Sequence, residues 1–252
     1  MTSLPPTPPH SAPLGHATEL PPLAPATLYL VATPIGNLED ISARAVRTLR
    51  GCDVIAAEDT RHTGRLLRHF GIDRPMISTF RFNEARRSGE ILERLARGER
   101  VALVTDAGTP GISDPGERVV HAARDRGFRV EPVPGPCALI AALTASGLPT
   151  DEFHFAGFLP HKPGQRRRRL QGLLDLPGTL ALYESPHRIE RLLTELSELA
   201  PGRDIVVARE LTKKFEEFLK GSPQELLARI RQRPLKGELV VLISGMSSLP
   251  PI

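Results

Sequence analysis

Residues 104–120 read VTDAGTPGISDPGERVV. An apolar run stops at Asp106, and the eleven positions from there hold three glycines and two prolines before a helical pattern resumes. A strand-to-helix turn needs only one glycine. Gly108 and Gly111 lack a Cβ, so main chain there can approach a ligand closely. Pro110 and Pro115 restrict φ and reduce the entropy lost in holding one shape. Pro115 suits the first turn of a helix, with Asp114 as its N-cap. The bend therefore predicts a stiff ligand platform beyond the carboxyl end of a strand; the alternative is a decorated surface loop. The same composition recurs in ATPIGNLED (32–40), VPGPCAL (133–139) and FLPHKPG (158–164). The first three bends are expected to line one edge and to form a cleft facing the second half of the chain.

That cleft is not built for a dinucleotide. Glu58 follows Gly36 at a suitable distance for a ribose-binding acid, but PIGNLED (34–40) has one glycine where G-x-G-x-x-G needs three. There is no Walker A sequence and no G-x-S-x-G elbow. The ligand is expected to lack a pyrophosphate.

The elements that must position these bends alternate. Strands are predicted at 27–33, 53–58, 75–80, 100–106 and 128–134, and helices at 41–51, 60–71, 84–98, 115–127 and 137–147. Helices closed by glycine between apolar strands predict a mainly parallel five-stranded sheet. Later strands fit 153–160, 179–185, 204–212, 215–222 and 235–245, with helices at 164–175, 186–199 and 223–232. The strands at 204–212 and 215–222 read as an antiparallel hairpin, so the second sheet is expected to be mixed. The predicted organisation is two α/β domains, 27–148 and 149–246, with a disordered Pro-rich tail at 1–26 and a short tail at 247–252.

The chain has 252 residues and a formal charge of +4. Five of its basic residues are lysine and 28 are arginine, which fits either a polyanionic partner or an arginine-rich genome. Cys52 and Cys137 have no zinc spacing and no disulfide framework, and the histidines show no metal-ligand spacing. No metal is expected. No apolar run approaches a membrane span of roughly 18 residues. The first 26 residues carry eight prolines and no Lys or Arg, unlike a secretory signal. A cytoplasmic protein is expected.

Eight motifs stand in one order: TPIGNLEDIS (33–42), AEDTRHTGRLL (57–67), DAGTPGISDPG (106–116), PGPCA (134–138), GFLP (157–160), YESPHR (183–188), RELTK (209–213) and KGE (236–238). Over residues 27 to about 245 the chain resembles the 16S rRNA (cytidine-2′-O)-methyltransferases of the tetrapyrrole-methylase superfamily. The resemblance implies two α/β domains with S-adenosylmethionine in the cleft between them and a homodimer. It implies a decoding-centre cytidine of 16S rRNA as substrate, the acceptor being its ribose 2′-hydroxyl. It places the cofactor along Pro34, Gly36, Asp106, Gly108, Thr109, Pro110, Ser113, Cys137, Ala138, Tyr183 and Leu211.

A ribose hydroxyl is a poor nucleophile while protonated, so a base within ~3 Å helps. Glu58, Asp59, His62, Glu184 and His187 are the candidates, and the sequence does not choose among them. Glu58 with Arg61 also reads as a structural brace. For RNA, HKPGQRRRRL (161–170) supplies Lys162, Arg166, Arg167, Arg168 and Arg169, and RFNEARR (81–87) supplies Arg81, Arg86 and Arg87; arginine pairs with phosphate and stacks on bases. The competing explanation is a solvated helix face. The alternatives to an rRNA methyltransferase are a small-tetrapyrrole methylase of the same superfamily, an RNA-binding assembly factor without catalysis, and, more remotely, a nicotinamide oxidoreductase.

Overall fold

Strand β1 (Thr27–Val31) lies inside a five-stranded parallel sheet, between the central strand β4 (Val101–Val104) and the edge strand β5 (Arg129–Val133). Beyond β4 come β2 (Val54–Ala57) and β3 (Met76–Ser78), giving the order β3-β2-β4-β1-β5. The computed structural model describes residues 21–79 and 84–245, side chains 84–86 excepted. Strands β2 and β4 are apolar and buried at every position, as expected where helices cover both faces. On one face, Tyr29, Val31, Ile55, Ala57 and Val104 pack with Ala45 and Leu49 of α1 (Ala43–Gly51) and Leu67 of α2 (Thr60–His69). On the other, Leu28, Val54, Ala56 and Leu103 pack with Ile91 and Leu95 of α3 (Glu84–Ala96) and Val119 and Ala123 of α4 (Glu117–Asp125).

The second sheet is mixed, in the order β6-β7-β10-β8-β9. Its strands are β6 (Phe153–Phe158), β7 (Thr179–Glu184), β8 (Ile205–Arg209), β9 (Glu217–Gly221) and β10 (Leu239–Ile243). Only β6 and β7 pair in parallel, and β8–β9 is the expected hairpin. One face packs against α6 (Pro163–Leu174), α7 (Ile189–Leu199) and α8 (Pro223–Gln232). The other face is covered differently. Helix α5 (Ala138–Ala145), reached from β5 of the first sheet, lays Leu139, Ala142 and Leu143 against Ala181, Val206, Val240 and Leu242. Its sequence ALIAALTA is apolar on most of its circumference, which suits a helix wedged between the halves.

The start of α4 departs from expectation. Gly116, with φ of 141°, takes the N-cap position, and no side chain caps this helix. Asp114 is half-buried two residues earlier and turns into the cleft instead. The proline-rich tail up to residue 20 and the tail beyond 245 lie outside the described residues.

Candidate active site between the two sheets

The loops diverge where β1 meets β4. From β1 the chain runs to α1 on one face of the sheet, and from β4 to α4 on the opposite face. Such a switch point opens a crevice beyond the strand ends. Thr33 and Gly108 exchange both backbone hydrogen bonds, at 2.9 and 3.0 Å. Thr33 Oγ1 donates to the Thr105 carbonyl at 3.2 Å, and Thr109 Oγ1 donates to the Pro136 carbonyl at 2.9 Å. The bends after β1, β4 and β5 are thus tied together along one edge. Gly108 has φ of 85°, a conformation that favours glycine.

Two hollows of about 350 Å³ each open here, within the range of small-molecule sites, roughly 300–1,000 Å³. Asp106, Gly108, Thr109 and Ser113 line the first from the loop after β4, and Cys137 and Ala138 from the start of α5. Tyr183 and Leu211 close it from the second half. Pro34 and Gly36 lie instead in the second hollow, and Pro110 is buried and lines neither. Phe158, Asp114 and Glu238 also line the first hollow without having been anticipated. Phe158 stands 56% exposed at its mouth, edge-on to Tyr183 at 5.8 Å, an apolar face that a ligand would cover.

Backbone strain concentrates in the same walls. Ser113 has φ of 65°, and Glu210 and Thr212 beside Leu211 have φ of 49° and 64°. Non-glycine residues held there point to a functional constraint. Gly157 faces Ser113 across the cleft: a Cβ at Gly157 would stand 2.9 Å from Ser113 Oγ, and its own φ is 59°.

Five carboxylates and no Lys, Arg or His line the first hollow: Glu58, Asp106, Asp114, Glu184 and Glu238. Burial, aided by repulsion from Glu58 and Asp106, pushes Asp114 up to about 7. Burial also raises Glu58, which accepts a long hydrogen bond from the Asp106 N–H at 3.4 Å. Glu184 is 3% exposed and raised by burial, despite its Arg188 neighbour at 3.3 Å. Its Oε1 accepts from the Ser185 N–H at 2.8 Å, while the buried Oε2 has no hydrogen-bond partner. A buried, unpartnered carboxylate oxygen beside a cavity favours a ligand bearing donors or positive charge.

Residues 27–227 match the model of the Tetrapyrrole (Corrin/Porphyrin) Methylases. The chain belongs to this family. A protein of Xylella fastidiosa named Ribosomal RNA small subunit methyltransferase I is 53% identical over 224 residues, 88% of this chain and 82% of that one. A Synechocystis protein of the same name is 51% identical over 219 residues, covering 86% and 78%. Among solved structures, Thermus thermophilus uroporphyrin-III C-methyltransferase complexed with S-adenyl homocysteine superposes with a TM-score of 0.62 at 19% identity, over 86% of this chain and 97% of that one. At that identity the likeness concerns the fold.

In this tetrapyrrole-methylase fold, the five base candidates separate. Glu58 and Glu184 line the first hollow and His62 the second; Asp59 and the exposed His187 line neither. The expected brace between Glu58 and Arg61 does not form. Arg61 pairs with Asp59 at 2.9 Å, and Asp59 also accepts from the Arg61 N–H at 2.8 Å as the N-cap of α2. These bonds hold the Asp59 carboxyl at about 2.

The arginines of the methylase also separate. Lys162, Arg168 and Arg169 are exposed and make no ion pair among the described residues; Arg167 pairs with Glu198 at 2.6 Å. Arg166 does not face solvent. It is 2% exposed and meets Glu195 of α7 at 2.9 Å, because 166, 170, 173 and 174 form the inward stripe of α6. That spacing was present in the sequence and was obscured by the run of four arginines. Arg87 is half-buried against Glu90, while Arg81 and the Arg86 side chain lie outside the described residues.

Among the described residues there is no cluster suited to a metal ion, and no helix is long and apolar enough to cross a membrane.

Proposed function

We propose that the chain transfers a methyl group from S-adenosylmethionine to the ribose 2′-hydroxyl of a decoding-centre cytidine in 16S rRNA. The observation that carries the cofactor assignment is the first hollow: a small-molecule cavity at the switch point, walled by carboxylates and free of basic side chains. That chemistry suits a ligand with a sulfonium, an ammonium and ribose hydroxyls, and it repels a phosphate. The rRNA assignment rests on 53% and 51% identity to the two ribosomal RNA small subunit methyltransferases.

When bound, S-adenosylmethionine supplies an electrophilic methyl on a cationic sulfur. The chain supplies the rest. Main-chain groups of Gly108 and Ser113 and the Asp106 carboxylate bind the polar parts of the ligand. Tyr183, Phe158 and Leu211 present apolar surface to its flat ring. Glu184 Oε2 offers an acceptor with no competing partner. Alignment of donor and acceptor can account for several kcal/mol of the barrier, ~7–11 at most. The acceptor proton goes to one of Glu58, His62 or Glu184. Lys162, Arg167, Arg168 and Arg169 then serve the RNA backbone. The working unit is a homodimer in the cytoplasm, as the sequence resemblance implies.

Incubation with labelled S-adenosylmethionine and 30S particles, followed by mapping of the modified nucleotide, tests the function. A 2′-O-methylcytidine in the decoding centre is expected. Label transferred to a porphyrinoid but not to rRNA would assign the other chemistry of the family.

A further inference from the structure

The second hollow shares Ile35, Asp106, Ala107 and Glu238 with the first, so the two are neighbouring chambers with a common wall. Their linings differ in charge. The first has no basic side chain, whereas the second is lined by His62, Arg65 and Lys213. Lys213 is committed, at 2.9 Å from both Glu210 and Glu238. Arg65 is exposed on α2 and makes no ion pair among the described residues. Leu38, 40% exposed, and Leu66 add apolar surface beside it.

We infer that this second hollow seats the acceptor nucleotide of an RNA strand, with Arg65 holding a phosphate next to the reacting ribose. The inference rests on the function proposed above and adds a place and a residue to it. The charge difference decides the order of the chambers. A cationic methyl donor is favoured among the carboxylates, and an anionic nucleotide is favoured beside an uncommitted guanidinium. The base lies against Leu38 and Leu66, and the sugar reaches the border at Asp106 and Ala107 where the two hollows meet, so that its hydroxyl oxygen attacks the methyl directly while the S–C bond breaks and its electron pair stays on the sulfur. His62, on the same turn of α2, borders the sugar rather than the donor. Arg65 is a positioning residue: it orients the nucleotide and touches no reacting atom.

The test compares wild type, Arg65→Gln, Arg65→Lys and Arg68→Gln. Arg68 is an exposed arginine of the same helix outside both hollows. Three quantities are read: S-adenosylmethionine affinity by calorimetry, methylation kinetics on 30S particles, and the salt dependence of RNA binding. For R65Q we expect kcat/KM to fall about 10- to 100-fold, as for loss of a charge-assisted hydrogen bond. Cofactor affinity should stay within about twofold, and the log–log salt slope should shrink by about 0.7, one phosphate on single-stranded RNA. R65K should recover part of the loss, and R68Q should resemble wild type. Unchanged kinetics and slope in R65Q, an equal loss in R68Q, or weakened cofactor binding in R65Q would each overturn the seat. Wild-type protein that methylates no rRNA would instead overturn the function on which the seat rests.

Discussion

Asp114 shows how a residue acquires its behaviour from its surroundings. In an unfolded chain its carboxyl titrates near 3.8; in the fold, burial beside Glu58 and Asp106 moves it to about 7. Between those values the folded protein holds a proton that the unfolded chain has released, so this residue lowers stability as pH rises from about 4 to 7. Asp114→Asn should therefore gain stability over wild type at pH 8 relative to the difference at pH 5, measured by denaturant midpoints without cofactor. Glu58 and Glu184 shift in the same direction and are present in both proteins, so the difference reports Asp114 together with its repulsion of Glu58 and Asp106. An identical difference at both pH values would contradict the assignment. At the same scale, the true base among Glu58, His62 and Glu184 is expected to cost about 10²- to 10⁴-fold in single-turnover rate when replaced. Single substitutions that all leave the rate near wild type would remove the base from the mechanism.

Helix α6 carries both the arginines proposed to meet RNA and a buried ion pair. Replacing Arg166 with Ala leaves Glu195 as a largely buried carboxylate whose remaining cation, Arg191, stands 3.7 Å away. The expected cost is about 3–5 kcal/mol, and Arg166→Met combined with Glu195→Leu should recover much of it. Arg168→Gln and Arg169→Gln should stay within about 0.5 kcal/mol in the same melts, while weakening RNA binding and flattening its salt dependence. An Arg166→Ala protein as stable as wild type would show that the pair is not closed in solution. The approach of β6 to the loop after β4 is equally specific. Gly157→Val places a branched side chain where φ is 59° and a Cβ already lies 2.9 Å from Ser113 Oγ. Cofactor affinity should fall at least tenfold by calorimetry, with the far-UV spectrum retained.

At the scale of the molecule, the halves are joined by α5 under the second sheet and by loops that meet over the first hollow. A ligand that touches both halves binds the folded chain alone and stabilises it by mass action. At a hundredfold excess over Kd that is worth about 2.7 kcal/mol, which for a chain of this size is roughly 5–10 °C in Tm. S-adenosylmethionine should produce such a rise and NAD should not, since the first hollow has no group to balance a pyrophosphate. An equal rise with NAD would reverse the charge argument.

Apolar runs bounded by glycine and proline, with helical spacing between them, marked which segments are strands and which are helices, because a strand buried on both faces is apolar throughout and a helix buried on one face repeats about every 3.6 residues. The bends DAGTPGISDPG, TPIGN and PGPCA could likewise be placed beyond strand ends, since glycine and proline restrict what the backbone there can do. Which side chains face the hollow was another matter. Glu58 and Asp59 are adjacent and chemically alike, yet one lines the cavity and the other caps a helix. Four consecutive arginines occupy every side of a helical turn; the spacing to Leu170, Leu173 and Leu174 sets Arg166 on the inward stripe, and only the fold shows that Glu195 of α7 is there to pair with it. The division into a chamber walled by carboxylates and a neighbour with basic side chains arises from loops far apart in the chain, brought together when β1 and β4 pair and α5 crosses to the second sheet. Local composition constrains the backbone at each bend, but the field inside a cavity is the sum over all the bends that surround it.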